Sequence, residues 1–196
     1  MDMPVKRVAA VVLAAGASTR LGRPKQLVLH DGEPLVRRAA RAALDAGAEP
    51  AVVVLGAHAD LVRRALDGLP VSAVMNDAWE TGMASSLRVG ARAALDAGAD
   101  AVLVTLVDQP LVDAAALRRL VAAFPGPYGV VASTYGDALG VPALFAREHA
   151  EALLHLTGDA GAGGWLRARG AAVTRVAMDE AALDVDTEGD LARLDG

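Results

Sequence analysis

VAAVVLAAGASTRLGRPK, residues 8–25, decides the fold: an unbroken apolar run reaches a glycine and passes straight into a loop carrying three cations. Val8 to Leu13 shows no alternation of polar and apolar residues, which is how a strand covered on both faces reads. Gly16 and Gly22 bracket the segment that follows. Glycine tolerates positive φ and lets backbone N–H groups approach an anion. Arg20, Arg23 and Lys25 lie within that segment although the chain as a whole is acidic. On residues alone this is a phosphate-binding loop or a solvated turn whose charges happen to cluster. It is neither a Walker A loop nor a GxGxxG fingerprint, because the spacing of its glycines fits neither. The same letters, with Lys6 and Arg7 in front, also mimic a secretory signal. Asp2 stands on the wrong side for that, and the run is too short to span a bilayer. A buried first strand entering a glycine loop is the reading adopted.

Working outward, residues 51–55 (AVVVL), 71–75 (VSAVM) and 101–107 (AVLVTLV) repeat the continuous apolar pattern. Helical stretches are expected between them at 34–46, with Pro34 in the first turn, at 84–97, and at 113–123. LHDGEPLV (29–36) carries an Asp-Gly turn and reads as a small hairpin. RAALDAGA occurs at 41–48 and again at 92–99, each copy feeding an apolar strand; two copies of a good local solution do not make a solenoid. The order βαβαβαβ predicts an α/β chain with a Rossmann-like three-layer architecture and a mostly parallel central sheet. No linker or low-complexity tract divides residues 1–196, so a single domain is expected. Ligands in such sheets lie beyond the carboxyl ends of the strands, which places loops 14–25, 76–86 and 107–111 on one rim.

Composition narrows the function classes. The 196 residues are 54% hydrophobic but only 3% aromatic, so alanine and valine supply the excess. A net charge of −5 disfavours nucleic acid and membrane surfaces as partners, since both need clustered Lys and Arg. The chain has no cysteine, which excludes disulfides, thiolate metal sites and thiol nucleophiles and makes a cytoplasmic, reducing setting the default. His30, His58, His149 and His155 have no zinc-ligand spacing.

LAAGASTRLGRPK resembles the signature of the MobA-like nucleotidyltransferases, with the molybdenum cofactor cytidylyltransferase branch the nearest in pattern. The resemblance continues through NDAWETGMASSL (76–87), LVDQP (106–110), VPALF (141–145), GDAGA (158–162) and DVDTEGDL (184–191). It implies transfer of CMP from CTP to the terminal phosphate of molybdopterin, with release of pyrophosphate. Lys25, Arg20 and Asp108 are then the catalytic set. Leu13, Ala14, Ala15, Gly16, Arg20, Lys25, Gly82, Ser85 and Ser86 are the nucleotide-binding positions. Mg²⁺, with Mn²⁺ as the alternative, would be held by Asp108 and Asp186, Asp184 being the rival second carboxylate and Asp190 a helix-start residue. Without the resemblance, Asp108 reads equally well as a helix cap and Ser85 and Ser86 read as caps. Ala15, where the GTP-using branch has glycine, favours the smaller pyrimidine base, although one methyl decides only about 1–3 kcal/mol.

A molybdenum hydroxylase is the client the resemblance implies. One departure concerns the acceptor: Gly163 stands where the family often carries arginine in GDxGAR, so another cation or another acceptor is needed. His58 reads chiefly as a surface residue and Trp79 as core filling, while Trp165 is a candidate for acceptor or partner contact. Three rivals stand beside this reading. One is a related enzyme using GTP or another phosphorylated small molecule, one a non-catalytic molybdenum cofactor chaperone, and one a plain dinucleotide-binding domain.

Overall fold

A computed structural model describes residues 7–194; Asp2 and Lys6, which entered the signal-like reading, lie outside the described residues. Val8–Ala14 forms β1, an interior strand of a seven-stranded sheet. β1 pairs in parallel with β4 (Ala51–Leu55) on one side and with β6 (Ala101–Leu106) on the other, and β4 pairs in parallel with β5 (Val71–Met75). The small hairpin forms as expected, from β2 (Leu29–His30) and β3 (Glu33–Pro34), with Asp31 and Gly32 both at positive φ in the turn. β5 corrects one expectation: it is a sheet edge whose residues are half-buried or, at Ser72 and Met75, exposed, not a strand covered on both faces.

The helices follow the sequence closely. α1 (Leu35–Asp45) starts one residue beyond Pro34, which lies outside the first turn and closes β3 instead. α2 is Ala59–Ala65, α3 Met83–Asp96 and α4 Ala114–Ala122. Both RAALDAGA copies end their helices in the same way. Gly47 and Gly98 take positive φ, and the following alanine N–H returns to the carbonyl of Ala43 or Ala94. This left-handed cap turns the chain into β4 and β6, so the repeat is a helix-stop used twice.

Beyond β6 the sheet departs from what the sequence suggested. β7 (Val130–Tyr135), β8 (Ala138–Ala146) and β9 (Thr174–Ala177) extend it to the order β5-β4-β1-β6-β8-β7-β9. β8 runs antiparallel to both β6 and β7, and the sheet stays mostly parallel elsewhere. α5 (Arg147–Leu153), α6 (Ala162–Arg169) and α7 (Glu188–Leu194) complete the chain.

β1 shows why three layers form. Ala10, Val12 and Ala14 join the core on the α1, α2 and α4 face, while Ala9, Val11 and Leu13 join the one under α3, α5 and α6. A strand's period of two thus feeds two cores at once. Chain order leaves β1 for β4 and β5, then returns to its other side at β6, so a crevice opens between the carboxyl ends of β1 and β6.

Candidate active site

The loop leaving β1 is held by its own polar groups. The N–H groups of Leu21 and Gly22 donate to the Ser18 carbonyl, 3.1 Å each, and Ser18 takes positive φ. Gly22 uses the positive φ expected of it, whereas Gly16 does not. Gln26 has no solvent exposure. Its Nε2 donates to the carbonyls of Ala14 at 2.9 Å and Gly16 at 2.7 Å. Ser18 Oγ accepts the Lys25 N–H at 3.0 Å. Ala15 is pinned from outside, its carbonyl accepting from the Ala57 N–H at 3.0 Å.

Asp108 stands just past the end of β6. It does not cap the next helix; Asp113 does, accepting from the Ala116 N–H at 2.8 Å. Instead the Asp108 carbonyl accepts from the Val185 N–H at 2.8 Å, which draws the 184–186 segment against the crevice. Lys25 Nζ then sits 2.7 Å from Asp108 Oδ2 and 2.7 Å from Asp186 Oδ1. Burial alone would pull this ammonium's pKa down, but Asp108 and Asp186 outweigh it and the net shift is upward, so Lys25 stays charged. Asp184 is pushed up to about 6, first by burial and then by Asp108 and Asp186. Asp190 serves α7's first turn as expected. Its Oδ2 accepts from the Thr187 N–H and hydroxyl, each at 2.8 Å, and these bonds with the Asp186 N–H hold its carboxyl below the usual range.

The three loop cations are all paired. Arg20 meets Asp186 at 2.8 Å, and Arg23 meets Glu188 through two contacts of 3.1 Å. Both arginines are exposed, so these pairs are worth at most about 1 kcal/mol each and exchange readily for a stronger anion. The Lys25 cluster is more enclosed, with side-chain exposures of 13% for Lys25 and 18% for Asp108.

A cleft of about 380 Å³ opens above this cluster. Leu13, Ala15, Gly16, Lys25, Gly82, Ser86 and Asp108 line it, so seven of the expected site positions meet there. An adjoining crevice of about 150 Å³ shares Gly16 and Lys25 and adds Arg20 and Asp186. Ala14 is buried behind the loop with its carbonyl turned to Gln26. Ser85 is not a lining residue and does not cap α3, whose N-cap is Gly82; its hydroxyl donates to the Gly82 carbonyl at 2.8 Å. Asn76, past the end of β5, donates to the hydroxyls of Ser85 and Ser86 at 2.8 and 2.9 Å and sets the wall of the cleft.

Trp79 is half-buried: it packs against the core under α3, as expected, and it also lines the cleft, which was not expected. Trp165 packs edge-on to Phe145 with centroids 5.6 Å apart, beside His149 and under the Arg169 guanidinium at 4.4 Å, and is not part of the cleft wall. His58 is exposed at the start of α2. Sequence reasoning missed Gln26, Asn76, Glu80, Met83 and Asp159. Of these, Asn76, Glu80, Met83 and Asp159 lie within the quoted motifs but carried no signal of their own.

The donor set suits a hard divalent cation with phosphate. Two carboxylate oxygens converge on one point now held by an ammonium, and Asp108 Oδ1 is buried without a hydrogen-bond partner. Among the described residues no group of three or more His, Asp or Glu forms a metal cage, so further ligands would have to be phosphate oxygens and water.

Residues 10–174 match the MobA-like NTP transferase domain family. The chain is 34% identical to nicotine blue oxidoreductase of Paenarthrobacter nicotinovorans, covering 98% of both chains. It is 35% identical to a probable molybdenum cofactor guanylyltransferase of Opitutus terrae, over 59% of this chain and 54% of that one. A nucleotidyl transferase from Methanothermobacter thermautotrophicus superposes with a TM-score of 0.84 at 27% identity, covering 96% of each chain. Rv0371c of Mycobacterium tuberculosis H37Rv, in complex with manganese, superposes with a TM-score of 0.75 at 34% identity, covering 96% of this chain and 98% of that one.

Proposed function

The chain belongs to the MobA-like NTP transferase family, and from that premise we propose that it acts as a single-domain cytidylyltransferase. It would transfer CMP from CTP to the terminal phosphate of molybdopterin, giving pyrophosphate and molybdopterin cytosine dinucleotide. The observation that carries this reading is Lys25, a charged, largely enclosed ammonium that lines the cleft at the end of the loop of residues 14–25. Among the described residues no helix is long and apolar enough to cross a membrane.

In the reaction an oxygen of the acceptor phosphate forms a bond to the α-phosphorus, and the bond from that phosphorus to the bridging oxygen breaks as pyrophosphate leaves. The attacking phosphate is already an anion near neutral pH, so no side chain has to remove a proton. The main obstacle is repulsion between anions. Lys25, kept protonated by its carboxylate neighbours, can turn from them to the phosphate oxygens and offset that repulsion. Arg20, exposed and weakly paired, is free to move onto the β and γ phosphates. Mg²⁺ or Mn²⁺, held by Asp108 and Asp186, would supply further neutralisation of the triphosphate. The base would lie against Ala15, Gly16, Gly82 and Ser86 beside the Trp79 ring, with Leu13 and Ala14 supporting the strand end. Ala15 supports CTP over GTP because its methyl narrows the base side of the cleft. A molybdenum hydroxylase is the client that would take the product.

The test is incubation with each nucleoside triphosphate and purified molybdenum cofactor, reading pyrophosphate and the mass of the dinucleotide. CTP-dependent formation of both products is expected. Tight cofactor binding without pyrophosphate would point to a chaperone, and turnover only with GTP or another phosphorylated acceptor to a sister enzyme. The full-length likeness to nicotine blue oxidoreductase favours one further reading, reduction of a flat conjugated heterocycle lying against Trp79. NADH or NADPH oxidation in the presence of such a compound, without any nucleotide transfer, would establish it.

A further inference from the structure

Gln26 is a fully enclosed polar side chain in a part of the molecule where polarity is costly. Both of its N–H groups are committed, to the carbonyls of Ala14 at 2.9 Å and Gly16 at 2.7 Å. Its Oε1 faces the Ser18 hydroxyl at 3.4 Å, and that hydroxyl accepts from the backbone N–H of Lys25 at 3.0 Å. A chain of polar contacts therefore runs from the end of β1, through one carboxamide, to the backbone of Lys25. In a planar trans peptide the N–H points opposite to the C=O, so fixing the carbonyls of Ala14 and Gly16 also fixes the N–H directions of Ala15 and Ala17. It further ties two carbonyl oxygens, which would repel a phosphate, to a side chain with no solvent exposure. Asparagine is a methylene short of this reach, glutamate offers no N–H, and methionine offers no donor at all.

We propose that Gln26 is a positioning residue that sets the anion-accepting shape of the loop from Ala14 to Ser18 and aligns Lys25 with it, an inference that rests on the nucleotide reading of the cleft. Its side chain touches the loop backbone and acts through it. Two variants test this, Gln26→Glu and Gln26→Met, with nucleotide KM and kcat followed by pyrophosphate release from pH 5.5 to 8.5.

In Gln26→Glu a buried carboxyl faces two carbonyls. Burial raises its pKa, and only its protonated form donates a hydrogen bond. The KM for CTP should rise about ten- to a hundred-fold at high pH and recover substantially toward pH 5.5. Gln26→Met, apolar and of similar length, should show a raised KM at every pH with no recovery. The KM for the acceptor should stay within about two-fold in both. Circular dichroism identifies the folded range of each variant, and Gln26→Met supplies the comparison wherever Gln26→Glu does not fold.

A KM for CTP near the wild-type value in folded Gln26→Met would overturn the proposal. So would a loss in Gln26→Glu that is the same at every pH. A wild-type enzyme that releases pyrophosphate from no nucleotide removes the nucleotide reading itself, a result distinct from an active wild type with unperturbed variants.

Discussion

Lys25→Met keeps the length of the side chain and removes its charge, and the structure gives the consequences opposite signs in two assays. The ammonium lies 2.7 Å from an oxygen of Asp108 and 2.7 Å from one of Asp186, with side-chain exposures of 13%, 18% and 28%. At an effective dielectric near 20, a close ion pair attracts by about 4 kcal/mol before desolvation. Without the lysine, two carboxylate oxygens face each other across at most twice that contact distance, and their repulsion is on the order of 3 kcal/mol. A divalent cation relieves that repulsion, whereas in the wild type it must first displace the ammonium. The ligand-free variant should therefore bind Mn²⁺ about a hundred-fold more tightly than the wild type, the equivalent of about 3 kcal/mol. Turnover with CTP should nevertheless fall on the order of 10²–10³-fold, because one electrostatic stabiliser of the transferring phosphate is gone. Electron paramagnetic resonance of free Mn²⁺ measures the first effect and pyrophosphate release the second. Equal or weaker Mn²⁺ binding by the variant would refute the view that Lys25 occupies the cation position. Near-normal turnover would refute its part in the transfer.

Other expectations follow from single residues. Ala15→Gly should raise the use of GTP relative to CTP in competition assays, and no shift would remove Ala15 as the basis of base choice. Gly56→Ala should lower the melting temperature, since a Cβ there would fall 2.6 Å from the Ala15 carbonyl oxygen and 2.8 Å from the Ala15 Cβ; such overpacking costs about 1–3 kcal/mol. Asp184→Asn tests the raised carboxyl. A folded-state pKa of about 6 against an ordinary 3.8 means the group's contribution to stability is full below the lower value and lost as pH rises through the higher. The variant, neutral throughout, should gain melting temperature over the wild type at about pH 8, and the gap should close toward about pH 4. A gain of equal size at both ends would contradict that assignment.

The half of the sheet nearest the site was legible because its strands are unbroken apolar runs between helices that stop at Gly47 and Gly98. The far half was not. β8 carries Gly140 and Pro142 inside its span, and β9 is four residues long at an edge, so neither gives a clear period. An antiparallel strand in a βα series also has no local signature; it is fixed by pairing with β6 and β7. In the site, Lys25 and Asp108 could be placed on one rim from strand order alone. Asp186 could not, because it reaches them through the hydrogen bond from Val185 to Asp108, a contact between segments far apart in sequence. Gln26 was hidden for a related reason: a glutamine beside a cationic loop reads as solvated, and only the fold turns it inward. Trp79 was read only in part, because nothing in the sequence shows that an indole in a glycine-flanked turn both packs on the core and lines a cleft.

A crystal of the protein soaked with CTP and Mn²⁺ puts the account to its most direct measurement, because manganese can be located by its anomalous scattering. The triphosphate should lie along residues 16–25, with the manganese peak between Asp108 and Asp186 and Lys25 swung onto phosphate oxygens. Nucleotide density elsewhere on the molecule, with Lys25 still held between its two carboxylates, would contradict it.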